Sequence, residues 1–274
     1  MGKIWQNWDV SDEILSIFDS SQEIIFPESR EEMLTLAMGG EKDRFDVSYS
    51  LENGQTVLDA TVSRCKNGIA VNYIESYMRR RDPDCMLIGD HQETDKPRFN
   101  DVYDFPFENL RNETFDWLRN QSLIGLAVNI GGKTSKHKGL LIAPKNAAFF
   151  VGALADMQGF IKPEDIPIKF KPKAIIYLAP TFRHTHFKGK QVVVHNRNNY
   201  LHEIFSYNLY PGPSAKKGIY GVLLQIGEDE NWVTLHSSTV QVVTPYDNVT
   251  TILHEGASGG GKSEMLEQAH REED

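Results

Sequence analysis

Apolar and polar positions along this chain shift between a helical period and a period of two, and those shifts mark its elements. Ile14, Leu15 and Phe18 recur at helical spacing and predict a short helix over residues 11–20. Ile24-Ile25-Phe26 is a brief apolar run halted by Pro27, which reads as a short strand. Ser29 followed by Glu32 makes a capping box for a helix through Met38, closed by Gly39-Gly40. Val47 and Tyr49 then alternate at period two, and Asn53-Gly54 predicts a hairpin turn into a strand over residues 56–63. Asn67-Gly68 leads into a third strand over residues 69–74.

Residues 75–106 are polar and irregular, with the run Arg79-Arg80-Arg81 and a short strand at 85–88. A helix is predicted over 107–121, a buried strand over 123–130, a basic loop over 131–139 and a resumed strand at 140–142. Residues 147–157 give the strongest helical pattern, and 174–178 another apolar strand. The stretch 189–255 reads mostly as strands, at 191–195, 221–226, 232–236, 240–243 and 249–253. Helices and strands mix without a regular βαβ repeat, which predicts an α/β (α+β) layer fold with a mixed sheet.

Length, charge and cysteines narrow the reading. A chain of 274 residues can bury a substantial core as one large domain or two ordinary ones. The formal charge of -9 provides no long-range field to gather nucleic acid or an anionic membrane, so neither is expected as a partner. Cys65 and Cys85 lack zinc-type pairing and read as two buried free thiols. The first residues carry Asp9, Asp12 and Glu13 rather than a secretory apolar stretch, and no run of about 18 apolar residues occurs. A cytoplasmic protein is expected.

The most specific chemistry lies near the end, in Gly256-Ala257-Ser258-Gly259-Gly260-Gly261-Lys262-Ser263. The pattern G-x-x-x-x-G-K-[ST] lets successive backbone N–H groups turn inward around phosphate oxygens. Lys262 would reach the outer phosphates of ATP or GTP, and the Ser263 hydroxyl would hold Mg2+. The β-branched run Val249-Thr250-Thr251-Ile252-Leu253 precedes the loop, and helix-forming Glu264-Met265-Leu266-Glu267 follows it. Only eleven residues follow Ser263, which suggests a truncated nucleotide-binding domain.

With that loop placed after a large N-terminal region, the chain resembles phosphoenolpyruvate carboxykinase. Arg81-Asp82-Pro83 looks like the family's Arg-x-Pro segment. Tyr210-Pro211-Gly212-Pro213-Ser214-Ala215-Lys216-Lys217-Gly218 is similar to its Tyr-to-Lys-Lys segment, and Leu235-His236-Ser237-Ser238 to its histidine ligand before the phosphate loop. A weaker match runs from Ala147 through Phe160-Ile161-Lys162-Pro163-Glu164-Asp165. The resemblance implies a carboxykinase-like N-terminal domain over 1–245 and the start of a nucleotide domain over 246–274. It also implies conversion of oxaloacetate and a nucleoside triphosphate to phosphoenolpyruvate, CO2 and the diphosphate. In that reading Arg81 grips a carboxylate, Tyr210 lies against the substrate, and Lys217 and His236 bind Mn2+.

Read on their own, these residues keep other roles open. Lys216-Lys217 is also an ordinary basic pair after a turn. His236 falls on one face with Trp232 and Thr234 if residues 232–236 form a strand, as a structural histidine would. Arg79, Arg80 and Arg81 cannot all face one site, and Tyr207 competes with Tyr210. His184-x-His186, with His195 and His202 nearby, is a second candidate chelate if it lies on a strand. Gly-Lys-Ser-Glu departs from the carboxykinase loop at Ser263 and Glu264 and looks more like the HPr kinase/phosphorylase, so a kinase is the alternative. A non-catalytic nucleotide-binding module is the third reading. The expected ligands are a nucleotide and a small anionic substrate, a dicarboxylate or a phosphorylated compound.

Overall fold

The computed structural model describes residues 3–198, 200–257 and 259–271. By its internal contacts the chain divides into two units, Met1–Val222 and Leu223–Asp274. The first opens with α1 (Asp12–Ser20), β1 (Glu23–Ile25) and α2 (Arg30–Ala37). The antiparallel strands β2 (Arg44–Ser50), β3 (Thr56–Cys65) and β4 (Gly68–Tyr73) follow, then β5 (Met86–Ile88) and the short α3 (Phe99–Val102). Next come α4 (Phe107–Arg119), β6 (Ser122–Asn129), β7 (Lys138–Pro144), α5 (Ala148–Met157), β8 (Gly159–Ile161) and β9 (Ala174–Leu178). The unit continues with α6 (Phe182–Thr185), β10 (Val193–Arg197), β11 (His202–Ser206) and a π-helix over Gly212–Gly218. Helix α7 (Ile219–Asp229) runs on from it; β12 (Ser237–Val243), β13 (Val249–Glu255) and α8 (Lys262–Arg271) complete the second unit.

Strands from distant parts of the chain form one mixed sheet in the order β1-β6-β7-β9-β11-β10-β5, with β8 also on β6. The pairs β1/β6, β7/β9, β9/β11 and β10/β5 are parallel; β6/β7, β6/β8 and β10/β11 are antiparallel. The central strands are buried on both faces, which is why they read as continuous apolar runs rather than alternating ones. Alternation still sorts their side chains. Leu123, Leu140, Ile142, Ile175, Tyr177 and Phe205 join the aromatic cluster of Trp8, Phe18, Phe107 and Phe115, contributed by the N-terminus and by α1 and α4. Arg111 of α4 clamps this layer: it donates to both Glu203 oxygens at 3.1 and 3.0 Å and to Glu13 at 2.8 Å.

Local signals hold where they are self-contained. The Ser29 hydroxyl accepts the Glu32 N–H at 3.1 Å, while the Glu32 carboxylate accepts from Glu28 N–H at 2.7 Å, one residue before the usual box. The Asn53-Gly54 turn closes through Leu51 N–H to Gln55 O at 2.8 Å, with Gly54 at φ 80°. Of the two cysteines, Cys85 is buried but Cys65, at the end of β3, is exposed, which corrects the expectation for that thiol. No helix among the described residues is long and apolar enough to cross a membrane.

Between β10 and β11 two histidines are buried together, His195 Nδ1 lying 2.8 Å from His202 Nε2. Burial, and then the neighbouring His202 and Arg197, hold the His195 imidazole well below the ordinary histidine range. The folded chain therefore keeps it neutral, whereas the unfolded chain takes up a proton as pH falls through about 6.5. The stability from the neutral ring is complete above that pH and is lost as pH falls toward the depressed folded value. Urea midpoints between about pH 7.5 and 5.5 should show a loss of up to about 1.4 kcal/mol per unit from this group. His195→Gln should have a shallower slope; parallel slopes would contradict the assignment.

Candidate functional site

The second unit builds a strand, a loop and a helix around the glycine-rich motif. Strand β13 pairs antiparallel with β12 from Val243↔Val249 to Ser237↔Glu255, and α8 begins at Lys262. Between them Gly259 and Gly261 take φ of 85° and 75°, a left-handed backbone that side-chain-bearing residues rarely adopt. Gly260 N–H closes a turn on Ala257 O at 3.1 Å. The Lys262 ammonium folds back over the loop and donates to Gly256 O and Ala257 O, both at 2.7 Å. The Ser238 hydroxyl of β12 holds Lys262 O at 3.1 Å, fixing the first turn of the helix. Ser263 is exposed, and Glu264 Oε2 lies 3.5 Å from where a Gly261 side chain would begin. Ser258, also assigned to the loop, lies outside the described residues.

The segment before the loop corrects three expectations. Residues 221–226 form no strand but belong to α7: Ile219, Val222 and Ile226 are buried at helical spacing within an apolar run that masked the period. Gly221 allows close approach to β10, since a Cβ there would lie 3.4 Å from His195 Cε1. Lys216-Lys217, read as a basic pair at a turn, lies instead in a seven-residue π-helix over residues 212–218 that is continuous with α7. Residues 232–236 are irregular and exposed, so the facing argument for His236 falls away; the strand begins at Ser237.

Lys217 belongs to the first unit and His236 to the second. The Lys217 ammonium stands 5.8 Å over the Tyr220 ring. The two candidate tyrosines separate clearly. Tyr207 is fully buried, its hydroxyl 2.9 Å from that of Thr114, so it is a core ring. Tyr210 is half-buried, its ring edge-on to Tyr73 at 6.4 Å. Tyr73 also connects to the arginine run: its hydroxyl donates to Leu209 O at 3.0 Å and its carbonyl accepts from Arg79 at 3.4 Å. Arg79 further donates to Asn72 Oδ1 at 3.3 Å, whereas Arg81 is exposed beside the buried Cys85 thiol. Burial raises that thiol's pKa, and Arg81 opposes the shift.

His184 lies on helix α6 and His186 just past its end, so the pair is not on a strand, and its rings take different partners. His184 Nε2 meets Asp59 Oδ1 at 2.8 Å; His186 Nε2 meets Glu113 at 3.0 Å and its Nδ1 meets the Thr185 hydroxyl at 2.7 Å. Among the described residues no three His, Cys, Asp or Glu side chains gather as a metal site. The residues alone gave no signal for Asp59 or Gln191, because their side-chain partners lie far along the chain.

The chain belongs to the family described as a domain of unknown function, DUF4914, whose model matches residues 10–274. A search of curated proteins gives no match.

Asp59 and Arg183, both almost fully buried, join β3 to α6 through a 2.6 Å contact. Removing one partner strands the other charge, which costs about 3–5 kcal/mol. Asp59→Ala should lower stability by that amount in urea unfolding. Combining it with Arg183→Met should cost less than the sum of the single changes. An additive pair of changes would show that the contact carries no coupling.

Proposed function

We propose that this DUF4914 chain binds a nucleoside triphosphate through residues 256–263 and belongs to a phosphoryl-transfer protein. The observation that carries the reading is the Lys262 ammonium, held over its own loop by two carbonyls between a strand and a helix N-terminus. An ammonium so placed is a ready partner for a phosphate oxygen, and the loop glycines leave room for close backbone approach. The Ser263 hydroxyl, on the first turn of α8, suits the nucleotide's Mg2+. In phosphoryl transfer these groups neutralise charge on the transferring phosphoryl rather than take part in covalent chemistry.

The finer reading is a carboxykinase-like reaction on a dicarboxylate, with Arg81 gripping a carboxylate and Tyr210 beside the substrate. The link through Tyr73 from the arginine run to Tyr210 favours it. Among the described residues no three His, Cys, Asp or Glu side chains gather that could complete a Mn2+ site without the lysine. The Glu264 carboxylate at the loop favours the alternative, a kinase of the HPr kinase type, which has no use for Lys217 or His236.

Calorimetric titration of MgATP and MgGTP into the chain should show saturable binding. Lys262→Ala should weaken it ten- to a hundredfold, the worth of about 1.5–3 kcal/mol for a charge-assisted hydrogen bond. Unchanged affinity in Lys262→Ala would sink the proposal. Mn2+ titration separates the finer readings. Binding lost in both Lys217→Ala and His236→Ala supports the carboxykinase-like site, and binding indifferent to both supports the kinase.

A further inference from the structure

The arginine run is held by one buried amide from another part of the chain. Gln191, just before β10, is only 2% exposed, and burying an amide is costly unless its hydrogen bonds are made. Among the described residues its bonds go to the backbone of one short segment, Tyr77 to Asp82, a turn that opens as a 3-10 helix over Ser76–Arg79. Its Nε2 donates to Tyr77 O at 3.3 Å and to Arg80 O at 2.7 Å, and its Oε1 accepts from Asp82 N–H at 3.2 Å. The contacts thus bracket Arg81, fixing the peptide groups on either side of it. Neighbouring contacts hold the start of the turn: Arg183 donates to the Tyr77 hydroxyl at 2.6 Å and Arg79 to Tyr73 O. At its end Asp84 N–H donates to Asp82 Oδ1 at 3.0 Å. Between these anchors, Gln191 secures the stretch that carries Arg81.

We infer that Gln191 is a positioning residue whose side-chain amide fixes the turn so that the Arg81 guanidinium is presented to an anionic carboxylate ligand. The inference rests on the carboxylate reading of Arg81, but the clamp itself makes a separate claim about local order. A turn fixed before binding spares the ligand the entropy of ordering it, so loosening it lowers affinity without removing any ligand contact.

Two measurements on the full chain separate these claims, using Gln191→Met, which keeps the volume and removes the hydrogen bonds. Gln191→Asn replaces it if the methionine variant does not fold. In limited trypsin digestion, cleavage after Arg79 and Arg80 should rise about tenfold while cleavage after the exposed Lys66 stays constant. In calorimetric titration with oxalate, the variant should bind about tenfold more weakly, with Arg81→Gln at least as impaired. Cleavage that is unchanged, or that rises equally at Lys66, overturns the clamp. Faster local cleavage with undiminished oxalate affinity overturns the positioning role. Failure of the wild type to bind oxalate refutes the carboxylate reading and the ligand half of this inference, while the digestion still decides whether the clamp exists.

Discussion

A guanidinium group taken out of water must have its charge met where it lies, and that requirement organises the first unit around Arg183. Its side chain is 3% exposed, and Asp59 of β3 supplies the counter-charge from 1% exposure. Such a pair adds little net stability over a packed apolar pair, but it permits only one docking of the groups that carry it. The three-stranded sheet is thereby fixed to α6, which follows β9 of the large sheet. The other branch of the same guanidinium takes the Tyr77 hydroxyl, at the head of the arginine turn. The path of the chain through Arg79, Arg80 and Arg81 is thus set by Arg183 from one side and by Gln191 from the other.

The second unit follows a different logic, because its site is local in sequence. A strand, a glycine-rich turn and a helix are contiguous between Val249 and Arg271, and the lysine that closes the loop is also the first residue of the helix. The hairpin of β12 and β13 leaves Val243, Val249, Ile252 and Leu253 exposed. A pair of strands alone is a weak scaffold, and the Ser238 contact to Lys262 is what fixes the helix start against β12.

This difference explains what could be read from the residues alone. The capping box at Ser29, the Asn53-Gly54 turn and the strand-loop-helix around Lys262 depend on neighbours within a few positions, so they were legible. The mixed sheet was legible as a class, but not its order, since β5 pairs with β10 across more than a hundred residues. The helix at 219–229 was hidden because Leu223 and Leu224 fill in the polar positions that would mark its period. The residues before His236 read as a strand because Trp232, Val233 and Thr234 favour strands intrinsically, yet the backbone there is irregular. Gln191 and Asp59 gave no signal, as their meaning lies wholly in partners more than a hundred positions away.

The central claim is that residues 256–263 form the anion cradle, and backbone amide shifts on a 15N-labelled chain address it directly. Titration with MgADP should move the amide signals of the loop and of the first turn of α8 progressively to saturation, leaving the core strands of the large sheet unmoved. Signals in the loop that stay fixed while nucleotide binds elsewhere, or that stay fixed at millimolar MgADP, would contradict the account.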